Sequence, residues 1–211
     1  MDADSNEKPD TTTQVAEVLA RIPGDTRLNL GCGRFPTPGW VNVDSVKLPE
    51  VDVVADLEAG SLPFADDSVT EIAGSHLLEH IRNSLGLMQE LYRIAKPGAL
   101  AVFRVPYGSS DDADTDPTHV RRYFWGSWGY FSQPYYWRAD YGYRGDWELE
   151  DLLLIVKDEY RGKSWAEVFQ AVEDKRNVVK EMVATLRAVK PARPSLRALQ
   201  KQPVIRFATT T

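Results

Sequence analysis

Two glycines and an acid set the first chemical possibility in this chain. Arg27-Leu-Asn-Leu-Gly-Cys-Gly33 reads as a buried strand, carried by Leu28 and Leu30, that runs into a turn at Gly31 and Gly33. Trp40-Val-Asn-Val43 reads as a second strand, closed by Asp44. Lacking Cβ atoms, the glycines let the backbone approach a ligand closely. An acid ending the next parallel strand can take the hydroxyls of a ribose. This is a nucleoside-binding pattern. The dinucleotide fingerprint wants a third glycine where Pro36 stands and an acid about 20 residues further on; here Asp44 comes sooner. No P-loop Gly-Lys-Ser/Thr is present, so phosphate cradling has little support.

His76-Leu-Leu-Glu-His80 carries a second possibility, since the spacing H-x-x-E-H can bind zinc for hydrolysis. That use needs a continuous helix across the motif and a third protein ligand. The motif directly follows an apolar strand, which puts His76 in a loop, and no metal is expected. Cys32 is the only cysteine, so no intramolecular disulfide can form. Its place between two glycines suits a small residue in a tight turn better than a nucleophile.

Leu28-Asn29-Leu30-Gly31-Cys32-Gly33 resembles the first motif of the class I S-adenosylmethionine-dependent methyltransferases, which commonly reads apolar-acid-x-Gly-Cys-Gly; Asn29 replaces the usual acid. Ala55-Asp56-Leu57, the run Leu62 to Val69, Ser75 to His80, and Leu91 to Gly98 follow in that family's order. The resemblance covers roughly residues 25 to 106. It implies an α/β fold, a Rossmann-like doubly wound and mostly parallel sheet, with S-adenosylmethionine as cofactor. By the same resemblance the cofactor is held by Asn29, Gly31, Cys32, Gly33, Asp44, Asp56, Leu57 and Ser75. Asp56 and the Leu57 amide fall beside the adenine. The family often carries the histidine-glutamate-histidine pattern without metal, which leaves His80 to face the acceptor or to pack under its loop.

Asp116-Pro-Thr-His-Val-Arg-Arg-Tyr123 comes just after the fifth strand, where substrate residues enter in this fold. His119 is the candidate general base, with Asp116 to orient it. Arg121 and Arg122 are placed to hold an anion, and Tyr123 adjoins them. The alternative is a histidine that ties down a long loop.

These residues need elements to position them. Met1 to Asp10 is polar and is expected to be disordered. Thr13 to Arg21 has helical spacing, stopped by Pro23-Gly24. The connection from Gly33 to Trp40 is too short for a crossover helix and holds two prolines, so a helix usual in this fold is reduced to a turn. Strands are expected at Val51 to Ala55, Val69 to Gly74, Ala99 to Val105 and Trp147 to Lys157, with a helix from Asn83 to Ala95. Ser164-Trp-Ala-Glu167 is a capping box. The spacing of Trp165, Val168, Phe169, Val172, Val179, Met182, Val183 and Leu186 predicts one long helix after it. Pro203 to Ala208 is expected as a last, antiparallel edge strand.

Residues 107–147 stand apart, because 12 of the 22 aromatic residues lie between Tyr123 and Trp147. So dense a cluster, interleaved with arginines, is no solvated loop. It is expected to be a cap that stacks on a planar or sugar-like acceptor, with a satellite core or a homodimer interface as the alternative. The whole of 11–211 is expected to be one domain.

Net charge is −6 and the isoelectric point about 5.2, which argues against long nucleic acid as the main partner. No apolar run is long enough to span a membrane and no signal-peptide core is visible, so a cytoplasmic protein is expected. The expected function is methylation, at oxygen or nitrogen, of a small or medium acceptor such as a sugar, nucleotide or metabolite. The alternative is a non-catalytic Rossmann-like binding protein that uses the aromatic segment as an interface.

Overall fold

The computed structural model describes residues 25–209, so the expected tail and the helix at Thr13 to Arg21 lie outside the described residues. One eight-stranded sheet organises them, in the order β3-β2-β1-β4-β5-β7-β6-β8. The strands are β1 (Thr26–Leu30), β2 (Val41–Asp44), β3 (Val53–Val54), β4 (Val69–Ser75), β5 (Ala95–Pro106), β6 (Trp147–Val156), β7 (Val179–Ala188) and β8 (Val204–Thr209). β7 runs antiparallel to both neighbours, β5 and β6, and every other pairing is parallel. The expectation of a mostly parallel, Rossmann-like sheet holds.

Burial alternates along the central strands, the period of a sheet that sets most of its core on one face. Leu28, Leu30, Val41, Val43, Val53, Val69, Phe103 and Val105 are all fully buried. Helix α1 (Ser84–Ile94) buries Leu87, Met88, Leu91 and Ile94, and Asn83 caps it by accepting the Gly86 amide at 3.0 Å. It ends at Ile94, ahead of Pro97, as expected. A short helix, α2 (Asp112–Thr115), follows β5, and α3 (Trp165–Asp174) follows β6. α3 starts at the expected capping box, with the Ser164 amide donating to Glu167 at 2.9 Å.

The C-terminal part differs from the sequence reading in two ways. The single long helix does not form: α3 stops at Asp174, and Val179–Ala188 is a strand. From Met182 to Ala188 burial alternates residue by residue, which is the period of a strand. The i, i+3, i+4 positions Val179, Met182 and Val183 mimic a helix only because apolar residues also occupy the half-buried face. The second correction concerns direction. The antiparallel strand is β7, inside the sheet, and the edge strand β8 runs parallel to β6.

Between β5 and β6 the chain makes no long helix. Residues 107–147 instead form α2 and two short 3-10 stretches, Ser127–Phe131 and Gln133–Trp137. Trp128 is 0 % exposed and stacks on Tyr123 at 5.5 Å and on Phe103 of β5 at 6.5 Å, while its indole N–H points at the Met182 sulfur, 3.5 Å away. The Trp147 indole donates to the Met88 carbonyl of α1 at 2.9 Å. Tyr107, Tyr123, Phe131, Tyr136, Tyr143 and Trp147 are buried in the same continuous core as the sheet. Phe124, Tyr130, Trp137 and Tyr141 face outward.

Candidate functional site

The chain leaves β1 toward β2 on one side and reaches β4 on the other. Such a reversal opens a crevice at the carboxyl ends of the two strands. Gly31 and Gly33 turn there with φ of 62° and 51°, a left-handed backbone that glycine adopts without steric cost. A Cβ on Gly31 would come within 3.0 Å of Leu77, in the loop after β4. At Gly33 nothing lies within 4 Å of that position, so its backbone faces open space.

Asp44 ends β2 at this rim. One carboxylate oxygen accepts the Gly33 amide at 2.8 Å and the other accepts the Val46 amide at 3.0 Å. The acid is therefore held by the turn it faces. Asn29 pins the shortened connection: its side-chain amide donates to the Phe35 carbonyl at 3.1 Å and to Asn42 Oδ1 at 3.0 Å. Asn42 in turn accepts the Thr37 amide at 2.7 Å and donates to Asp52 at 3.0 Å. Cys32 is buried, and burial, then the nearby Asp44, raises its thiol pKa, which suits a turn filler rather than a nucleophile. Asp56 follows β3, is exposed, and accepts the Glu58 amide at 2.9 Å. Leu57 beside it is buried, and Ser75 stands exposed at the end of β4.

A second group of side chains sits at the end of β4. His76 has φ of 51°, rare for a residue with a side chain, and its ring lies between Glu79 at 3.2 Å and Glu181 of β7 at 3.3 Å. Both acids raise its pKa, chiefly through the contact with Glu79. Because β7 is antiparallel, its beginning brings Glu181 to the carboxyl edge, where Arg104 of β5 approaches it at 3.7 Å. Leu78–His80 is one 3-10 turn, so His76 and His80 do not share a helical face. The loop position expected for His76 is observed. The Glu79 carbonyl accepts the amides of Val120 at 2.8 Å and Arg121 at 3.1 Å, which folds the inserted segment back over this turn.

That return brings His119 against His80, ring centroids 4.7 Å apart and edge-on. Asp116 does not reach the His119 ring. Its carboxylate accepts the Thr118 hydroxyl at 2.7 Å and the Thr118 amide at 2.8 Å, and these bonds lower its pKa. Thr118 Oγ1 is 3.0 Å from His80 Nδ1, so Asp116 orients His80 through Thr118. His119 is held instead by the Ala113 carbonyl of α2, 3.1 Å from its Nδ1. Arg121 donates to the carbonyls of Ile81 and Arg82, and Arg122 makes a two-pronged pair with Asp114 at 2.8 Å for each bond. Tyr123 is a core residue whose hydroxyl donates to the Leu78 carbonyl at 3.3 Å. A groove of about 610 Å³ opens next to these residues, lined among others by Arg121, Arg122, Phe124, Ser127 and Tyr130.

Sequence reasoning missed Glu79, Glu181 and Arg104. The signal for Glu79 was present in its motif, but its burial depends on the distant amides of Val120 and Arg121.

Residues 36–103 match the model of a methyltransferase domain family. No curated protein matches the chain. Among solved structures, a SAM-dependent methyltransferase from Archaeoglobus fulgidus superposes with a TM-score of 0.52 at 16% identity, over 83% of this chain and 92% of that one. A chain from the complex of the Haloferax volcanii Trm112 methyltransferase activator with a methyltransferase gives 0.49 at 19% identity, over 85% and 90%. A SAM-dependent methyltransferase from Mesorhizobium loti gives 0.45 at 14% identity, over 83% and 96%. Residues 36–103 are thus similar to a methyltransferase domain, and the strand order and glycine turn give the chain a fold like that of the Archaeoglobus fulgidus SAM-dependent methyltransferase.

Proposed function

We propose that the chain methylates an oxygen or nitrogen of a small or medium acceptor, such as a sugar, nucleotide or metabolite, beneath the cap formed by 107–147. The carboxyl-edge crevice fits the cofactor: the Gly33 backbone faces open space and Asp44 stands fixed at the rim. In this reading Gly31, Cys32 and Gly33 line the crevice and Asn29 holds its floor. Asp44 takes the ribose hydroxyls, and Asp56, Leu57 and Ser75 border the adenosyl group. Bound there, S-adenosylmethionine supplies a methyl group on a sulfonium, which needs only an aligned nucleophile and the exclusion of water.

The observation that carries the acceptor side is the meeting of His80 and His119, from two separate segments, at the edge that bears the glycine turn. His119 keeps Nδ1 on the Ala113 carbonyl, which leaves Nε2 to accept a proton from an acceptor hydroxyl. Asp116 positions His80 through Thr118. Phe124 and Tyr130 offer faces for stacking along the groove, and Arg121, Arg122 and Tyr123 shape its wall. The outward aromatics also suit a homodimer contact, which sedimentation would test. A lone buried cysteine suits the reducing cytoplasm, which cell fractionation would test.

Calorimetry and turnover separate the two halves of the site. Asp44→Ala should abolish binding of S-adenosylmethionine and S-adenosylhomocysteine. His119→Ala should bind both normally and lose turnover against an acceptor panel, by about 100-fold or more. Equal loss of cofactor binding in the two variants would refute this division of labour.

A further inference from the structure

We propose that Glu79, His80 and His119 bind a divalent transition-metal ion of the zinc or cobalt type. One carboxylate oxygen of Glu79 and one nitrogen from each histidine already lie within 4.8 Å of one another. An ion drawing each to about 2.0–2.2 Å requires roughly an ångström of side-chain closure.

The buried carboxylate is the first argument. Glu79 is 1 % exposed, and neither of its carboxylate oxygens, both shut off from solvent, has a hydrogen bond. His76 touches one of them at 3.2 Å and also spans to Glu181, so a single imidazole faces two acids. An interior carboxylate in that condition is costly unless a cation completes it.

The histidine tautomers supply the second. The Thr118 hydroxyl has one hydrogen, and Asp116 accepts it. Thr118 Oγ1 can then only accept from His80, which places the ring proton on Nδ1. The Ala113 carbonyl can only accept, which places the His119 proton on Nδ1 as well. Both rings are left with a lone pair on Nε2. An oxygen partner that fixes the tautomer from behind is the usual setting of a metal-bound histidine.

The set differs from the H-x-x-E-H reading, which the sequence argument set aside for want of a third ligand and a continuous helix. His76 is not a member, and the third ligand comes from the insertion. Two imidazoles and a carboxylate suit zinc, cobalt or iron better than magnesium, and three protein ligands leave positions for water or an acceptor oxygen. With the ion bound, the Nε2 lone pair of His119 is taken up by the metal, so the ion in place of that histidine would ease the proton of an acceptor hydroxyl off to water. That last role rests on the methyltransferase reading; ion binding does not.

The test uses the full, untagged chain, stripped with a chelator and titrated with Co²⁺ and with Zn²⁺ at about pH 7.5. Expected are one ion per chain at micromolar affinity or tighter, visible d–d absorption from Co²⁺, and a raised melting temperature with Zn²⁺. Glu79→Gln and the double variant His80→Ala/His119→Ala should each lose about 100-fold or more in affinity and the melting shift. His76→Asn, which suits a left-handed backbone, should retain both. Circular dichroism verifies that each variant is folded; a variant that is not is replaced by His119→Gln alone, for which the same loss is expected. Absence of binding up to about 1 mM, unchanged affinity in the histidine variants, or a loss in His76→Asn equal to that in Glu79→Gln would overturn the proposal. The readout is binding, so it stands apart from whether any acceptor is methylated.

Discussion

Two single residues show how much local geometry this molecule stores. Gly31 combines a φ of 62° with the close approach of Leu77. Gly31→Ala should therefore cost about 1–2 kcal/mol of stability from the backbone alone and weaken cofactor binding further as Leu77 is pushed aside. Denaturant melts and calorimetry with S-adenosylhomocysteine measure the two effects separately. Asp146 is 0 % exposed and accepts hydrogen bonds from the Gln133 amide and from the Arg193 amide, Nε and Nη2. Among the described residues, Asp146→Ala leaves the Arg193 guanidinium with Glu148 as its one remaining acid, and should cost about 3 kcal/mol or more by denaturant melt. At this scale the sequence was informative where geometry rests on local pattern. Gly31, Gly33 and Asp44 could be read from spacing because a glycine turn and a strand-ending acid are local events. Arg121, Arg122 and Tyr123 could not, because their partners Arg82, Asp114 and Leu78 are assigned by the fold.

Among the elements, the inserted segment is the least regular and yet carries a share of the core. Its centre is Trp128, clamped between Tyr123 and Phe103. Trp128→Ala should destabilise the protein by about 3–5 kcal/mol, whereas Ser164→Ala, which removes the cap of α3, should cost about 1 kcal/mol. Thermal melts of the two variants test that ranking. The aromatic density of 107–147 excluded a solvated loop. Composition alone did not sort its rings into those that fill the interior and those that line the groove. The reading of 179–188 as helix failed for a different reason. Val179, Met182, Val183 and Leu186 satisfy the helical period, most of the segment is made of good helix formers, and the deciding fact was its place between β5 and β6, which is tertiary.

For the whole molecule, surface charge and sheet order are the governing features. With a net charge of −6, the chain should show no retention of tRNA-sized RNA in a gel-shift assay at about 0.15 M ionic strength. A shift that persisted there would point to a macromolecular acceptor. No helix among the described residues is long and apolar enough to cross a membrane. The parallel sheet and its glycine crevice were legible from repeated apolar runs and turn residues. The strand order beyond β5 was not, since a strand returning from far along the chain leaves no local mark.

That return governs how the protein is made. β5 is complete by Pro106, but the strand that covers its outer side begins at Val179. On the ribosome, the first five strands emerge with one flank of the sheet bare while the insertion, β6 and α3 are still being added. A naked flank of this kind invites pairing with another nascent chain. Chaperone demand during synthesis should fall only once β7 has slid between β5 and β6, so a chain arrested just before Val179 should be caught aggregating while one released past Ala188 is not.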